Sequence, residues 1–250
     1  MIASATFGQV QFGVKAGLNY NIMDLTIVDD DDFTDEEIDR LEDQRSNGSG
    51  YNLGGFATFP GERARLRMEL LYSSRAYSTS TEYSYDHGYG SPTHWTAIET
   101  DVQIQQKYRL TYLELPILLE IQISNGFFIH MGPSFGYRTD WYLKEELEGT
   151  TVTTVTVNGF VDDKQTTNFA ESETSRNDGQ VRNLEVGALL GVGYQLPNGL
   201  SFSLRYQRGL TPMNRAKGYV GYYTGGLHSA DYVRYFQNNL QFAVGFTFLR

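Results

Sequence analysis

The stretch that decides the fold lies near the N-terminus, where residues 10–20 read VQFGVKAGLNY. Apolar or aromatic side chains occupy every second position, and the positions between them carry Gln11, Gly13, Lys15, Gly17 and Asn19. Successive side chains of a β-strand point to opposite faces. The alternation therefore predicts a strand with one apolar face and one polar face.

The same period of two recurs along the chain. Seven further segments show it, at residues 51–59, 65–72, 112–121, 127–137, 184–194, 200–207 and 240–248. The connections between them alternate between short turns (60–64, 124–126 and 197–199) and long segments (roughly 21–50, 74–107, 139–182 and 209–237). An even strand number with short turns at one end and long loops at the other is typical of outer-membrane barrels. The sequence predicts an all-β fold, an eight-stranded antiparallel transmembrane β-barrel with long extracellular loops.

The polar face of these strands is typical of a narrow barrel interior. It is rich in glycine and carries isolated charges of both signs, whereas a soluble exterior would carry far more Lys and Glu. Eight strands enclose a space that side chains fill, so we expect the charges to pair there and to leave no open pore. The predicted luminal polar network comprises Lys15, Arg67, Glu69, Glu114, Glu120, His130, Glu185 and Arg205.

The apolar face is then expected to meet lipid. Aromatic residues cluster toward the strand ends, which fits two interfacial girdles; they include Tyr20, Tyr72, Tyr137 and Trp141. The alternative is a soluble lipocalin-like binder, in which the apolar face would point inward and the polar face outward.

Composition narrows the class of protein and of partner. The chain has 250 residues, with 30 acidic residues, 20 basic residues and no cysteine, so thiolate chemistry and disulfides are excluded. A net charge of −10 without a basic stripe disfavours nucleic acid as a partner. Residues 1–9, MIASATFGQ, are interpreted as a signal-peptide remnant or an N-terminal tail, and residues 10–250 as a single barrel domain.

One predicted loop carries most of the negative charge. Residues 24–45 contain 11 acidic and two basic residues, including the run Asp29, Asp30, Asp31 and Asp32. Carboxylate oxygens are the ligands that Ca²⁺ prefers, so this run is the one candidate metal site, and it could also meet lipopolysaccharide through bridging cations. The spacing of an EF-hand is absent, and a solvated acidic loop is the favoured interpretation. No other cofactor is expected.

The two later long connections have distinct compositions. Asn158-Gly159 stands between β-prone runs at 150–157 and 160–161, which predicts a β-hairpin that extends the barrel wall. Residues 218–236 are rich in Tyr and Gly, which is typical either of an adaptable recognition surface or of a loop packed over the barrel mouth.

No catalytic motif emerges from the sequence. His130 and Ser134 share the polar face, but four residues along a strand separate them by about 13 Å, which is too far for a nucleophile–base hydrogen bond. The other histidines, His87, His94 and His228, lack metal-ligand spacing. We expect no enzymatic activity; the competing hypothesis is a barrel hydrolase or acyltransferase.

Four segments resemble a known family. Residues 12–20 (FGVKAGLNY), 112–119 (YLELPILL), 132–137 (GPSFGY) and 205–211 (RYQRGLT) are similar, in this order, to strand motifs of the PorT-like outer-membrane β-barrel proteins of Bacteroidota. The resemblance implies a small barrel in the bacterial outer membrane, mostly without assigned activity; a few members take part in protein secretion, a role that these motifs do not transfer. We expect a structural or surface-interaction protein, or an accessory subunit of a larger complex, whose partners are the bilayer, lipopolysaccharide and other outer-membrane proteins.

Overall fold

The computed structural model describes residues 9–28, 47–61, 64–176, 181–215 and 233–249. Within these ranges no helix is long and apolar enough to cross a membrane. The described residues form nine antiparallel strands: β1 (Gln11–Ile27), β2 (Asn47–Phe59), β3 (Ala64–Ser91), β4 (His94–Gln122), β5 (Phe127–Val157), β6 (Phe160–Ser175), β7 (Leu184–Gln195), β8 (Leu200–Gly209) and β9 (Val233–Leu249).

Eight of these strands close into a ring. β1 pairs with β2 on one side and with β9 on the other, and the remaining members follow in the order β3, β4, β5, β7, β8. β6 stands outside the ring and pairs with the distal half of β5. The predicted eight-stranded antiparallel barrel is confirmed.

Glycines with positive φ shape the tight turns. Gly126 (φ 85°) and Gly199 (φ 92°) end the two predicted three-residue turns, where a side chain would be strained. Asn158 (φ 50°) and Gly159 (φ 84°) form the turn between β5 and β6. The predicted hairpin at this position is therefore present.

Two predicted long connections are mostly strand. β3 and β4 remain paired as far as Ser91 and His94, and β5 continues to Val157 before β6 returns beside it. Residues 77–85 and 150–157 are rich in Thr, Tyr, Ser and Val, which favour extended backbone. Residues 79–107 and 143–175 thus form a four-stranded sheet beyond the ring, here named the extension. Because periplasmic turns of such barrels are short, the extension is extracellular.

The two faces of the ring are inverted relative to a soluble barrel. Leu18 and Phe242 are 68% and 51% exposed, whereas Lys15 and Glu114 are 4% and 1% exposed. This arrangement contradicts the lipocalin-like alternative, because polar and charged groups fill the interior and apolar groups cover the outer wall.

A register shift between Thr111 and Tyr112 corrects the predicted position of Trp141. Tyr112 pairs with Arg138 but Thr111 pairs with Asp140, so Thr139 is an extra residue in β5. A bulge exchanges the faces of the residues beyond it. Trp141 is consequently buried inside rather than placed in an interfacial girdle.

Candidate functional site

The periplasmic half of the barrel interior, at the end with the short turns, is organised around one carboxylate. Glu69 on β3 accepts hydrogen bonds from the Lys15 ammonium (3.0 Å), from Arg67 Nε (2.8 Å) and from both terminal nitrogens of Arg205 (2.6 and 2.7 Å). All four side chains are buried. They form the Glu69 cluster, in which three cations share one fully buried anion.

A second carboxylate offsets part of the positive charge of this cluster. Glu120 on β4 pairs with Arg65, and one of its oxygens lies 3.5 Å from a terminal nitrogen of Arg67. The Arg67 guanidinium also stacks over the Phe56 ring at 3.6 Å. The guanidinium is thus held between an aromatic face and two carboxylates.

The extracellular half of the barrel interior, nearer the extension, is organised around one guanidinium. Arg75 is 0% exposed and donates to Glu114 (2.6 Å), to both oxygens of Glu185 (2.9 Å each) and to the side-chain oxygen of Gln237 (2.9 Å). Its guanidinium also lies 4.8 Å from the centre of the Tyr112 ring. This Arg75 cluster joins β3, β4, β7 and β9 across the lumen.

An apolar layer closes the interior above the Arg75 cluster. Its buried members are Met23, Tyr77, Tyr108, Leu110, Tyr112, Trp141, Val181, Met213 and Tyr235. Val181 and Met213 come from segments that fold into the barrel mouth. Arg138 fixes one of these segments by donating to the Val181 carbonyl (3.1 Å) and to the Asn183 side chain (2.7 Å). The barrel is therefore filled from the Glu69 cluster to its outer mouth.

All eight residues of the predicted luminal network lie inside the barrel and are buried. Lys15, Arg67, Glu69 and Arg205 form the Glu69 cluster, Glu114 and Glu185 belong to the Arg75 cluster, and Glu120 and His130 lie beside the first cluster. Arg75 was missed because the predicted third strand stopped at Tyr72. The signal was present in the sequence, since Arg67, Glu69 and Arg75 share the same parity along β3.

The remaining candidate sites are less organised. Asp29, Asp30, Asp31 and Asp32 lie outside the described residues, and the described part of the chain contains no group of His, Cys, Asp and Glu that could hold a metal ion. Among the described residues, neither the ring nitrogens of His130 nor the Ser134 hydroxyl finds a hydrogen-bond partner, although both side chains are buried.

The outer face of the extension carries a small ionic group near the membrane. Lys107 on β4 lies opposite Lys144 on β5, and their ammonium groups contact the two oxygens of Glu146 at 2.6 and 2.5 Å. Hydrogen bonds from Lys107 and Lys144 lower the pKa of the Glu146 carboxyl to about 2. The hydrogen bond to Glu146 in turn raises the pKa of Lys144.

Farther from the membrane, the extension has an acidic cleft and a long edge. A cleft of about 660 Å³ crosses β3 to β6, with the carboxylates of Glu82, Asp101 and Glu148 in its lining. Asp101 and Glu82 accept hydrogen bonds from Ser84 and Gln103. Beside the cleft, β6 is exposed along nearly its whole length.

Comparison with solved structures finds other outer-membrane barrels. Neisserial surface protein A is 13% identical (TM-score 0.35), with 96% of this chain and 100% of that chain covered. Ail, the attachment invasion locus protein of Yersinia pestis, is 10% identical (TM-score 0.35) with the same coverage. The outer membrane protease OmpT from Escherichia coli is 8% identical (TM-score 0.31), with 97% and 98% covered. Similarity at this level supports no conclusion about activity.

The sequence profile of a protein family is more informative. No curated protein matches the chain. The profile described as "outer membrane protein beta-barrel domain" matches residues 4–215, most of the chain. Together with the lipid-facing outer wall, this match places the protein in the bacterial outer membrane. The chain belongs to the outer membrane protein β-barrel domain family.

Proposed function

We propose that this protein is a non-enzymatic outer-membrane barrel that acts by surface interaction, either as a docking platform or as an accessory subunit of a larger outer-membrane assembly. The observation that carries the proposal is the edge strand β6. From Phe160 to Ser175 it pairs with β5 and, within the described residues, with no other strand.

The edge of β6 has only part of the usual protection against pairing: it carries acidic side chains, and a register shift near the turn leaves Asp162 as a bulge, but the strand is regular from Asp163 to Ser175. Natural sheets shield their edges with short strands, prolines, lysines or a covering element. β6 is 16 residues long, contains neither proline nor glycine, and has a single lysine, Lys164. No described strand pairs with its outward N–H and C=O groups, which supports strand addition by an extended segment of a partner.

The charge of β6 favours a partner other than a second copy. The strand carries Asp162, Asp163, Glu171 and Glu173 against Lys164. Antiparallel pairing of two such strands would bring like charges together, which is unfavourable. An extended segment that is basic or neutral fits this edge better.

The filled interior supports the non-enzymatic part of the proposal. The Glu69 and Arg75 clusters use the luminal charges in mutual ion pairs. His130 and Ser134 make no hydrogen bond to one another, so this histidine does not activate this serine as a nucleophile. The ion pairs of the two clusters give the luminal charges a structural role.

The finer affiliation is also a proposal. The four motifs at residues 12–20, 112–119, 132–137 and 205–211 support membership of the PorT-like group. We propose the bilayer, lipopolysaccharide and other outer-membrane proteins as partners. The acidic extension is the reason to expect no nucleic acid.

Site-specific crosslinking tests the proposed docking edge. A photoreactive benzoylphenylalanine is placed at Thr167 on the edge strand or, as a matched control, at Gln105 on β4, which is exposed but paired on both sides. Irradiation of native membranes should give a discrete protein adduct from Thr167 only. Equal labelling from Gln105, or no adduct from Thr167, would contradict edge docking.

Proline substitution separates docking from folding. Thr166→Pro and Thr167→Pro affect neighbouring residues whose N–H groups point to opposite sides of β6. One variant should weaken pairing with β5, whereas the other should keep the hairpin folded and abolish the adduct formed by a crosslinker at Gln165. A Gln165 adduct that persists in both variants would contradict the strand-addition hypothesis.

A further inference from the structure

Basic side chains gather on the outer face of the sheet at the base of the extension. Lys107 and Arg109 on β4 and Lys144 on β5 all point outward. Glu146 is the one carboxylate that pairs with both lysines, and Arg109 forms no ion pair with any described residue. These three residues, named the basal cations, carry three positive charges, of which Glu146 neutralises one.

Two neighbouring charges complete this surface. Asp140 lies nearer the membrane, and its carboxylate accepts the Trp141 backbone N–H at 2.9 Å. Arg176 is exposed and directly follows the last β5–β6 pair, Leu143 with Ser175. With these two residues included, the surface retains an excess of two positive charges.

The distal part of the extension has the opposite charge. Residues 79–104 and 147–171 contain eight acidic residues and one basic residue, Lys164. The separation of charge along the same four strands places positive groups next to the membrane and negative groups away from it. General solubility does not require this sorting, because charges of both signs could be mixed along the sheet.

Of the basal cations, Arg109 lies nearest the lipid headgroups, and Lys107 and Lys144 lie one step farther out. Tyr72, Leu113 and Tyr137 form one exposed row across β3, β4 and β5 and mark the upper limit of the apolar band. Arg109 precedes Leu113 by four residues on β4, about 13 Å along the strand and about 10 Å along the membrane normal toward the extracellular side at a typical strand tilt. Lys107 and Lys144, which lie opposite each other, are about 5 Å farther out. The headgroup region adds several ångströms to each side of the hydrocarbon, and a long Arg or Lys side chain can reach down into it.

We propose that Lys107, Arg109 and Lys144 form a binding site for the phosphate groups of a phosphorylated glycolipid in the outer leaflet. Guanidinium and ammonium groups pair with phosphate through charge-assisted hydrogen bonds. Tyr142 lies opposite Arg109 and offers a ring beside the headgroup, while Leu113 and Tyr137 offer apolar surface to the acyl chains directly below. Both contacts favour a lipid phosphate over free phosphate in solution.

Lipid binding in nanodiscs tests the site. The full chain is reconstituted with bisphosphorylated lipid A or with its dephosphorylated form, and retained lipid is counted by native mass spectrometry. The triple variant Lys107→Gln/Arg109→Gln/Lys144→Gln should bind the phosphorylated lipid at least tenfold more weakly than the unmodified chain. Lys164→Gln, which removes the distal lysine, should leave binding unchanged.

A gain-of-binding variant keeps the test informative if the triple variant folds poorly. Glu146→Gln removes the carboxylate that occupies both lysines, so it should bind the phosphorylated lipid more tightly. Equal retention of the two lipids by the unmodified chain would overturn the proposal, as would weaker binding by Glu146→Gln. Displacement of the lipid by millimolar inorganic phosphate would identify a free-phosphate site and also overturn it.

Discussion

At the scale of single residues, the barrel interior depends on shared charges rather than on isolated ion pairs. Glu69 pairs with three cations, and Arg75 pairs with two carboxylates. A buried ion costs several kcal/mol to desolvate, so removing the shared member leaves the others uncompensated. The central residue of each cluster is therefore the most sensitive position.

Substitution of Glu69 should strongly destabilise the barrel. Glu69→Gln keeps the size of the side chain but leaves Lys15, Arg67 and Arg205 without their common anion. We expect the free energy of unfolding to fall by about 3–5 kcal/mol, as measured by urea titration in lipid with tryptophan fluorescence. The solvent-accessible control Glu146→Gln should cost far less, because water screens its ion pairs. Equal losses for the two variants would show that the Glu69 cluster does not stabilise the fold.

The bridge formed by Lys107, Glu146 and Lys144 should resist mild acid. Hydrogen bonds from both lysines lower the pKa of Glu146 to about 2, from an ordinary value of 4.5. The stabilising contribution of this carboxylate is therefore complete above pH 4.5 and is lost as the pH falls through about 2. A ¹³C carboxyl titration by NMR in micelles should show Glu146 still ionised at pH 4. A titration midpoint near 4.5 would mean that the two lysines do not lower the pKa of Glu146.

At the scale of strands, small residues of the wall make room for large residues of the interior. An ideal Cβ at Gly193 on β7 would lie 2.2 Å from Cζ of Phe128 on β5. The glycine thus allows the ring to lie flat against the wall. Phe128 and His130 are two positions apart on β5 and therefore lie on the same face of the strand, with their ring centres 5.5 Å apart.

Gly193→Ala should disturb packing where another glycine tolerates the same change. The new methyl group would collide with Phe128, and we expect a loss of about 1–3 kcal/mol in the free energy of unfolding. Gly55→Ala is the control, because its Cβ would meet only the Gly13 carbonyl, at 3.6 Å. Heat-modifiable gel mobility reports the folded fraction of each variant. The double variant Gly193→Ala/Phe128→Leu should recover part of the loss, and failure to recover would exclude the ring contact as the cause.

At the scale of the whole molecule, the charges are sorted in layers. An acidic distal sheet stands above the basal cations, which stand above an apolar outer wall around a polar, ion-paired interior. The apolar layer with Leu110 and Val181 closes this interior toward the outside, and both side chains are 0% exposed. The molecule is therefore organised for contact at its outer surfaces rather than for passage through its centre.

The protein should not conduct ions. Reconstituted into planar bilayers, it should give no stepwise currents, because the Glu69 cluster, the Arg75 cluster and the apolar layer fill the lumen. Trp141→Ala should remain closed as well, since it opens only the outermost layer and leaves both charge clusters intact. A porin measured under the same conditions is the positive control. Discrete open states of the unmodified chain would contradict the filled interior.

The sequence by itself determined the barrel, its strand number and the side of the wall on which each luminal charge lies. Alternation with a period of two is a local property, so Lys15, Glu114 and Arg205 could be assigned to the interior without coordinates. Parity also identifies Arg75, once β3 is followed beyond Tyr72.

Only the tertiary structure decided which charges meet and where the wall continues. Glu69 and Arg205 lie 136 positions apart and come together only because the ring closes. The extra residue at Thr139 exchanges the faces of β5 beyond it. No local sequence pattern indicates this bulge, so the prediction that Trp141 lies in an interfacial girdle was wrong. The edge of β6, which no described strand covers, and the outward row of basal cations likewise follow from how four strands pair beyond the ring. Side-chain alternation is set by neighbouring residues, whereas register and closure are set by contacts between distant ones.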